Sequence, residues 1–329
     1  MNIANLSTTE IIEGIFSNNI AIVSKAITII ESTRPEHRII ANKIIEGCIS
    51  KKHDTIRIGI TGVPGAGKST FIEQFGRMLT GLGKKVAVLT VDPSSSRTKG
   101  SILGDKTRMQ ELVKDPNAYI RPSASGTSLG GVTRKTRESI AILEAAGFDI
   151  ILIETIGVGQ SETAVHDMVD FFLLLKLAGA GDELQGIKRG IIEMADSIVI
   201  NKSDGNNVQN AAQAKMEFTR ALHMFPPKEN GWSPKVLTCS ALENKGLGEI
   251  WTLIDNYCHT MKENGYFNKN RQQQNENWLI QYLEQELLSK FYQNPKTKKL
   301  LPILKNEVIN GKTSPFLAAE KLLKALSAN

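Results

Sequence analysis

Gly62, Val63, Pro64, Gly65, Ala66, Gly67, Lys68 and Ser69 run in the pattern G-x-x-x-x-G-K-[ST], a backbone cradle for phosphate. The glycines let the main chain wrap an anion. Successive N–H groups at a helix start then supply the positive potential that holds it. In this pattern Lys68 reaches the β- and γ-phosphates, and the Ser69 hydroxyl is a Mg²⁺ ligand. Thr70 continues the pattern into the helix. An ordinary glycine-rich turn needs neither the lysine nor the hydroxyl. The chemistry implied is nucleotide binding.

Carboxylates spaced behind this loop can serve the metal. The run Val86–Val91 is apolar and ends in Asp92, 24 residues after Lys68, which leaves room for one helix and a return strand. Asp92 is therefore expected beside the phosphate loop as a metal ligand, direct or through water. Asp105 is a second candidate. The polar run Pro93–Gly100 between them suits a segment that closes on the γ-phosphate. Glu154 ends another apolar run and is followed by Thr155, Ile156 and Gly157. Its carboxylate is expected to orient Mg²⁺ and the Gly157 N–H to meet the γ-phosphate. Gln160, in the flexible stretch beyond, is the candidate for positioning an attacking water.

The base is addressed by Asn201, Lys202 and Asp204, an N-K-x-D arrangement at the end of an apolar run. Asp204 can accept from the N1–H and exocyclic amine of guanine, with the Lys202 stem over the ring and Asn201 bracing the loop. Adenine lacks that donor pair and would leave a buried carboxylate unpaired, at a cost. Ser240, Ala241 and Leu242 follow a further apolar run and offer a backbone amide to the guanine O6. These elements in order point to GTP and GDP rather than adenine nucleotides. Residues 178–190 carry four glycines among charges, a loop in which Asp182 and Lys188 suit switch or partner contacts.

Seven apolar runs must position these groups: Ile56–Thr61, Lys85–Val91, Ala118–Pro122, Ile150–Glu154, Phe171–Leu177, Ser197–Asn201 and Val236–Ser240. Continuous apolar runs alternating with helical periodicity predict parallel strands covered on both faces, an α/β fold. Ligands of such sheets bind at the carboxyl ends of the strands, where the residues above fall. We expect a helical extension over residues 1–52, beginning with a capping box at Ser7 and Glu10. A nucleotide-binding core over 53–262 and a helical arm over 263–329 follow it. The arm opens with a polar stretch, Asn268–Asn275, read as a linker or exposed helix start. Two amphipathic segments follow, one with Trp278, Leu279, Tyr282, Leu283, Leu287, Leu288 and Phe291, the other after Pro315. They can cover their own domain or pair with a second subunit.

Composition narrows the class. The chain has 329 residues, 41% hydrophobic and 22% charged, as in ordinary globular proteins. No apolar run is long enough to span a membrane, and the first residues lack signal-peptide character. Cys48, Cys239 and Cys258 are dispersed, consistent with reduced thiols and a cytoplasmic setting. The formal charge is +6, and residues 265–329 hold ten Lys or Arg against five Asp or Glu. No aromatic-interleaved basic motif accompanies them, so a solvated helical surface is expected and no nucleic-acid partner. His37, His53, His166, His223 and His259 form no cluster with the cysteines, which argues against a metal-insertion protein.

The run Val91–Gly100, the run Glu154–Glu162 and the loop Leu177–Gly190, behind the phosphate loop, resemble the MeaB/ArgK-type GTPases over nearly the whole chain. The resemblance implies a P-loop GTPase of the SIMIBI class that acts as a chaperone for an adenosylcobalamin-dependent acyl-CoA mutase. It would gate cofactor loading and protect the mutase. It further implies a homodimer joined by the C-terminal helices. By the same resemblance Ser69, Asp92, Asp105 and Glu154 form the Mg²⁺ environment, and the loop through Asp182 and Lys188 is a third switch answering to the mutase. Glu154 in place of Asp is typical of that family. Alternatives are a nucleotide-dependent clamp with incidental hydrolysis, or the transport-associated kinase of older family labels, for which the sequence offers no protein-substrate site.

Overall fold

The computed structural model describes residues 6–51, 53–91, 109–122, 129–155, 161–178 and 189–327. Asp92, Asp105, Gly157, Gln160, Asp182 and Lys188 lie outside the described residues.

Among the described residues, seven strands form one sheet: β1 (Ile56–Thr61), β2 (Val86–Val91), β3 (Ala118–Arg121), β4 (Ile150–Thr155), β5 (Phe171–Leu177), β6 (Ser197–Asn201) and β7 (Lys235–Thr238). Their order is β3-β2-β4-β1-β5-β6-β7, with every pairing parallel. The strand carrying the phosphate loop is therefore central, flanked by β4 and β5. Each apolar run of the sequence became a strand because both faces are covered, so neither face needed polar alternation. Parallel pairing also puts all the carboxyl ends on one edge.

Contacts divide the chain into Met1–Gln272 and Gln273–Asn329. In the first unit, α1 (Thr8–Phe16), α2 (Ile20–Glu31), α3 (Pro35–Ile49) and α5 (Leu129–Ala145) lie on one side of the sheet. The other side carries α4 (Lys68–Gly81) and α9 (Leu247–Glu263), while α8 (Val208–Leu222) packs on β6 and β7. Short helices α6 (Ser161–His166) and α7 (Arg189–Met194) complete the unit. The capping box forms as expected, with Glu10 N donating to Ser7 Oγ at 3.3 Å and Ser7 N to Glu10 Oε2 at 2.7 Å. Helices α1, α2 and α3 pack into the sheet's own core. Ile11, Ile15, Ile27 and Ile44 are buried in the same cluster as Leu89, Ile151 and Ile153 of the sheet. Helices this short gain most of their stability from such packing. On the opposite face Phe71 and Phe75 are fully buried with ring centroids 5.2 Å apart, each side chain worth roughly 1.5–3 kcal/mol of transfer free energy.

At the amino edge of the strands a half-buried charge network centred on the buried Asp170 holds β1 and β5. Arg271, in the first turns of α10 (Tyr266–Gln293), donates through Nε to Asp170 Oδ1 at 2.8 Å and through Nη2 to Asp170 Oδ2 at 2.7 Å. Its Nη2 also donates to the Thr55 carbonyl at 2.6 Å. Asp170 Oδ2 accepts from the Arg57 N–H at 2.8 Å, and the Arg57 guanidinium forks onto Glu144 at 2.7 and 2.8 Å. The polar stretch Asn268–Asn275 is thus helical, and one of its charges is locked into the core.

In the second unit the remainder of α10 is followed by α11 (Pro295–Ile309) and α12 (Pro315–Ser327). The sequence predicts only two helical segments here. The third, α11, is hidden by Pro302 in its interior and by its lysines. Pro295 opens it, and Asn294 caps it by accepting from Lys296 N at 2.8 Å. Leu304, Ala318 and Leu322 make a small core. No helix among the described residues is long and apolar enough to cross a membrane.

Candidate nucleotide site

β1 ends at Thr61 and α4 begins at Lys68, so residues 62–67 turn from a buried strand into a helix. The turn is closed by Ala66 N donating to the Val63 carbonyl at 3.1 Å, and Phe71 N donates to the Gly67 carbonyl at 2.8 Å. Two glycines are required by space as well as by backbone angle. A Cβ on Gly62 (φ +151°) would stand 2.2 Å from the Leu175 carbonyl oxygen of β5. One on Gly67 (φ +85°) would stand 2.6 Å from Asn201 Nδ2. The tip, Val63, Pro64 and Gly65, is exposed, and so is Thr70 on the first turn of α4.

Lys68 is buried, with Nζ donating to the carbonyls of Gly62 at 2.7 Å and Val63 at 3.2 Å. Burial holds its ammonium below the ordinary lysine range, opposed by the carboxylates of Glu154 and Glu162. A bound polyphosphate would relieve that penalty, because it places counter-charge against the ammonium. Glu154, the β4 partner of Ile60, is buried and accepts from Ser69 Oγ at 3.2 Å. A hydroxyl and a carboxylate oxygen thus meet beside the lysine. These are the donors that Mg²⁺ takes from proteins, its other positions going to phosphate and water. Glu162, on α6 and 2% exposed, adds negative potential that the sequence reading did not assign to the site. Its signal was an acid close behind the Glu154 run.

The base-side residues come from β6 and the turn after β7. Asn201 is 1% exposed; its Nδ2 donates to the Ala66 carbonyl at 2.9 Å, joining this loop to the phosphate loop. Its Oδ1 accepts from Ala241 N at 3.2 Å and from the Cys239 thiol at 3.4 Å. Lys202 is exposed and left-handed (φ +58°), with its carbonyl accepting from Asn207 Nδ2 at 2.8 Å. Asp204 accepts a hydrogen bond from Ser240 Oγ, and that oxygen accepts from Glu243 N at 3.1 Å. The sequence reading assigned the Ser240–Leu242 turn a backbone amide for the base. In the structure the Ser240 side chain orients Asp204, the Ala241 amide rests on Asn201, and Leu242 is 77% exposed. The sequence marks Cys239 only as a reduced thiol; its position one residue ahead of the S-A-L turn is the available signal.

Lys68, Ser69, Glu154, Asn201, Asp204 and Ser240 are thus gathered along one sheet edge, while Asp92, Asp105, Gly157, Gln160, Asp182 and Lys188 lie outside the described residues. Among the described residues no group of three or more His, Cys, Asp and Glu gathers as a metal site of its own.

The family model described as methylmalonyl-CoA mutase-associated GTPase MeaB matches residues 23–296. A probable GTPase of Mycobacterium tuberculosis is 49% identical over 304 residues, covering 92% of this chain and 90% of its own. The mitochondrial methylmalonic aciduria type A homolog of Mus musculus is 45% identical over 325 residues, covering 96% of this chain and 78% of its own. GTPase ArgK of Escherichia coli is 45% identical over 297 residues, covering 89% and 90%. A crystal structure described as a LAO/AO transport system kinase superposes with a TM-score of 0.78 at 36% identity, covering 99% of this chain and all of its own. With a phosphate loop and an N-K-x-D loop tied together on a parallel sheet, the chain belongs to the MeaB family of P-loop GTPases and hydrolyses GTP.

Proposed function

We propose that this GTPase is a chaperone for an adenosylcobalamin-dependent acyl-CoA mutase of the methylmalonyl-CoA mutase type, gating cofactor loading and protecting the mutase. The observation that carries the reading is the family match across residues 23–296. In this reading the phosphate loop, Gly62 to Thr70, holds the polyphosphate, and Asn201, Lys202 and Asp204 read guanine. Ser69 and Glu154, with Asp92 and Asp105, hold Mg²⁺, which neutralises charge on the β- and γ-phosphates when bound. Lys68 follows the charge that develops on the phosphoryl oxygens. Gly157 and Gln160 serve the γ-phosphate and the attacking water, and Asp182 and Lys188 answer to the mutase.

The same reading makes the protein a homodimer through its C-terminal helices. Leu279, Leu283 and Leu287 recur every four residues on α10 and are 65%, 51% and 59% exposed, an apolar stripe that a second copy would cover. The proposal involves neither nucleic acid nor membrane, and its setting is the cytoplasm.

The test is reconstitution of the apo-mutase with adenosylcobalamin in the presence of this protein and GTP, GDP or a non-hydrolysable GTP analogue. Cofactor uptake that depends on which nucleotide is bound supports the proposal. Uptake indifferent to the nucleotide, with binding of both proteins demonstrated, overturns it.

A further inference from the structure

Asn201 Oδ1 is the acceptor for two donors, the Ala241 N–H at 3.2 Å and the Cys239 thiol at 3.4 Å. Its Nδ2 is committed to the Ala66 carbonyl at 2.9 Å. The amide orientation is therefore fixed, since the backbone partners are a donor on one side and an acceptor on the other. Cys239 and Asn201 are each at most 2% exposed, so water does not substitute for a lost partner. The guanine reading gives the guanine O6 a backbone amide of the Ser240–Leu242 turn, and we take it to be that of Ala241, whose N–H rests on Asn201 Oδ1. Once it turns to the base, the thiol is the donor left to Asn201 Oδ1.

We infer that Cys239 is a positioning residue for guanine nucleotides, holding the Asn201 amide in place as the Ala241 N–H is handed to the base. The inference rests on the guanine reading of Asn201 and Asp204. Its chemical requirement is a small donor at position 239: serine meets it and alanine does not. Burial pushes the thiol up to about 12, so the donor hydrogen is retained throughout the neutral range. The thiol does not touch the nucleotide. It acts on binding through Asn201, so its loss should raise the dissociation rates of GTP and GDP alike and spare the chemical step.

The experiment compares wild type, Cys239→Ala and Cys239→Ser in the full-length protein with Mg²⁺. Fluorescent GDP and GTP analogues report dissociation, and saturating GTP reports turnover. Cys239→Ala is expected to raise Kd for both nucleotides about three- to tenfold, the range of one hydrogen bond, mostly through dissociation. Turnover at saturation is expected to stay within about twofold and Cys239→Ser to lie near wild type. Equal affinity of Cys239→Ala and wild type overturns the inference. So does an affinity loss that serine fails to restore while thermal melting shows all three proteins equally folded. Asp204→Asn, tested with GTP and xanthosine triphosphate, is the separate control. If it fails to shift preference towards xanthine, the guanine reading falls, whatever the Cys239 variants do.

Discussion

The side-chain amide of Asn201 donates to the main-chain carbonyl of Ala66 at 2.9 Å, across 135 residues of sequence. One buried side chain thus ties the phosphate loop to the N-K-x-D loop. Asn201→Ala should leave the Ala66 carbonyl and the Ala241 N–H without that partner, at roughly 1–3 kcal/mol for each buried group. Nucleotide affinity is expected to fall about 10- to 100-fold, measured by calorimetry with GDP. Gly67→Ala should act through the same contact, because its Cβ would stand 2.6 Å from Asn201 Nδ2.

Asp204 is oriented by the Ser240 hydroxyl, which is itself held by Glu243 N. On the proposed guanine reading, Asp204→Asn exchanges an acceptor for a donor where guanine presents donors. Competition binding should show a GTP loss of about 100-fold and a preference for xanthosine triphosphate. Ser240→Ala should produce a smaller loss, because Asp204 keeps its charge but not its orientation.

Lys68 carries a folded-state pKa lowered first by burial, with Glu154 and Glu162 opposing. The sign follows from linkage. The unfolded chain binds the proton more tightly, so the lysine costs the nucleotide-free protein stability at neutral pH. That cost shrinks as pH rises towards the unfolded value of 10.5. Subtracting the pH–stability curve of Lys68→Met from that of wild type should therefore give a difference that climbs on the alkaline side. The same variant is expected to lose nearly all GTP hydrolysis. A flat difference curve would contradict the burial argument.

Arg271 and Asp170 form a hydrogen-bonded pair, the Asp170 side chain being 1% exposed. Removing one partner strands the other charge, so Arg271→Ala should cost about 3–5 kcal/mol in urea denaturation. Replacing both residues by apolar ones should cost much less. Since the pair lies at the amino edge, away from the loops, nucleotide affinity in the folded Arg271→Ala protein should change little.

Much of this was legible because the strands are buried on both faces and announce themselves as apolar runs: Ile56–Thr61, Phe171–Leu177 and Ser197–Asn201 match the structure residue for residue. Asn201 as the brace of the loop was readable from its place in N-K-x-D. Contacts between distant segments were not. Nothing local in the sequence says that Ser240 presents its hydroxyl to Asp204, or that Arg271 in a glutamine-rich run is locked onto Asp170. The helix Pro295–Ile309 escaped because an interior proline argues against helix unless other contacts repay it.

The proposed function implies that GTP turnover here is gated by the mutase partner. Steady-state GTP hydrolysis with Mg²⁺, alone and with the host's adenosylcobalamin-dependent acyl-CoA mutase, tests it most directly. The account predicts slow turnover alone and clear acceleration by the mutase, lost in Lys188→Ala while GTP binding is kept. An unchanged rate with GTP and mutase both shown to be bound would contradict it, leaving a GTPase whose partner lies elsewhere.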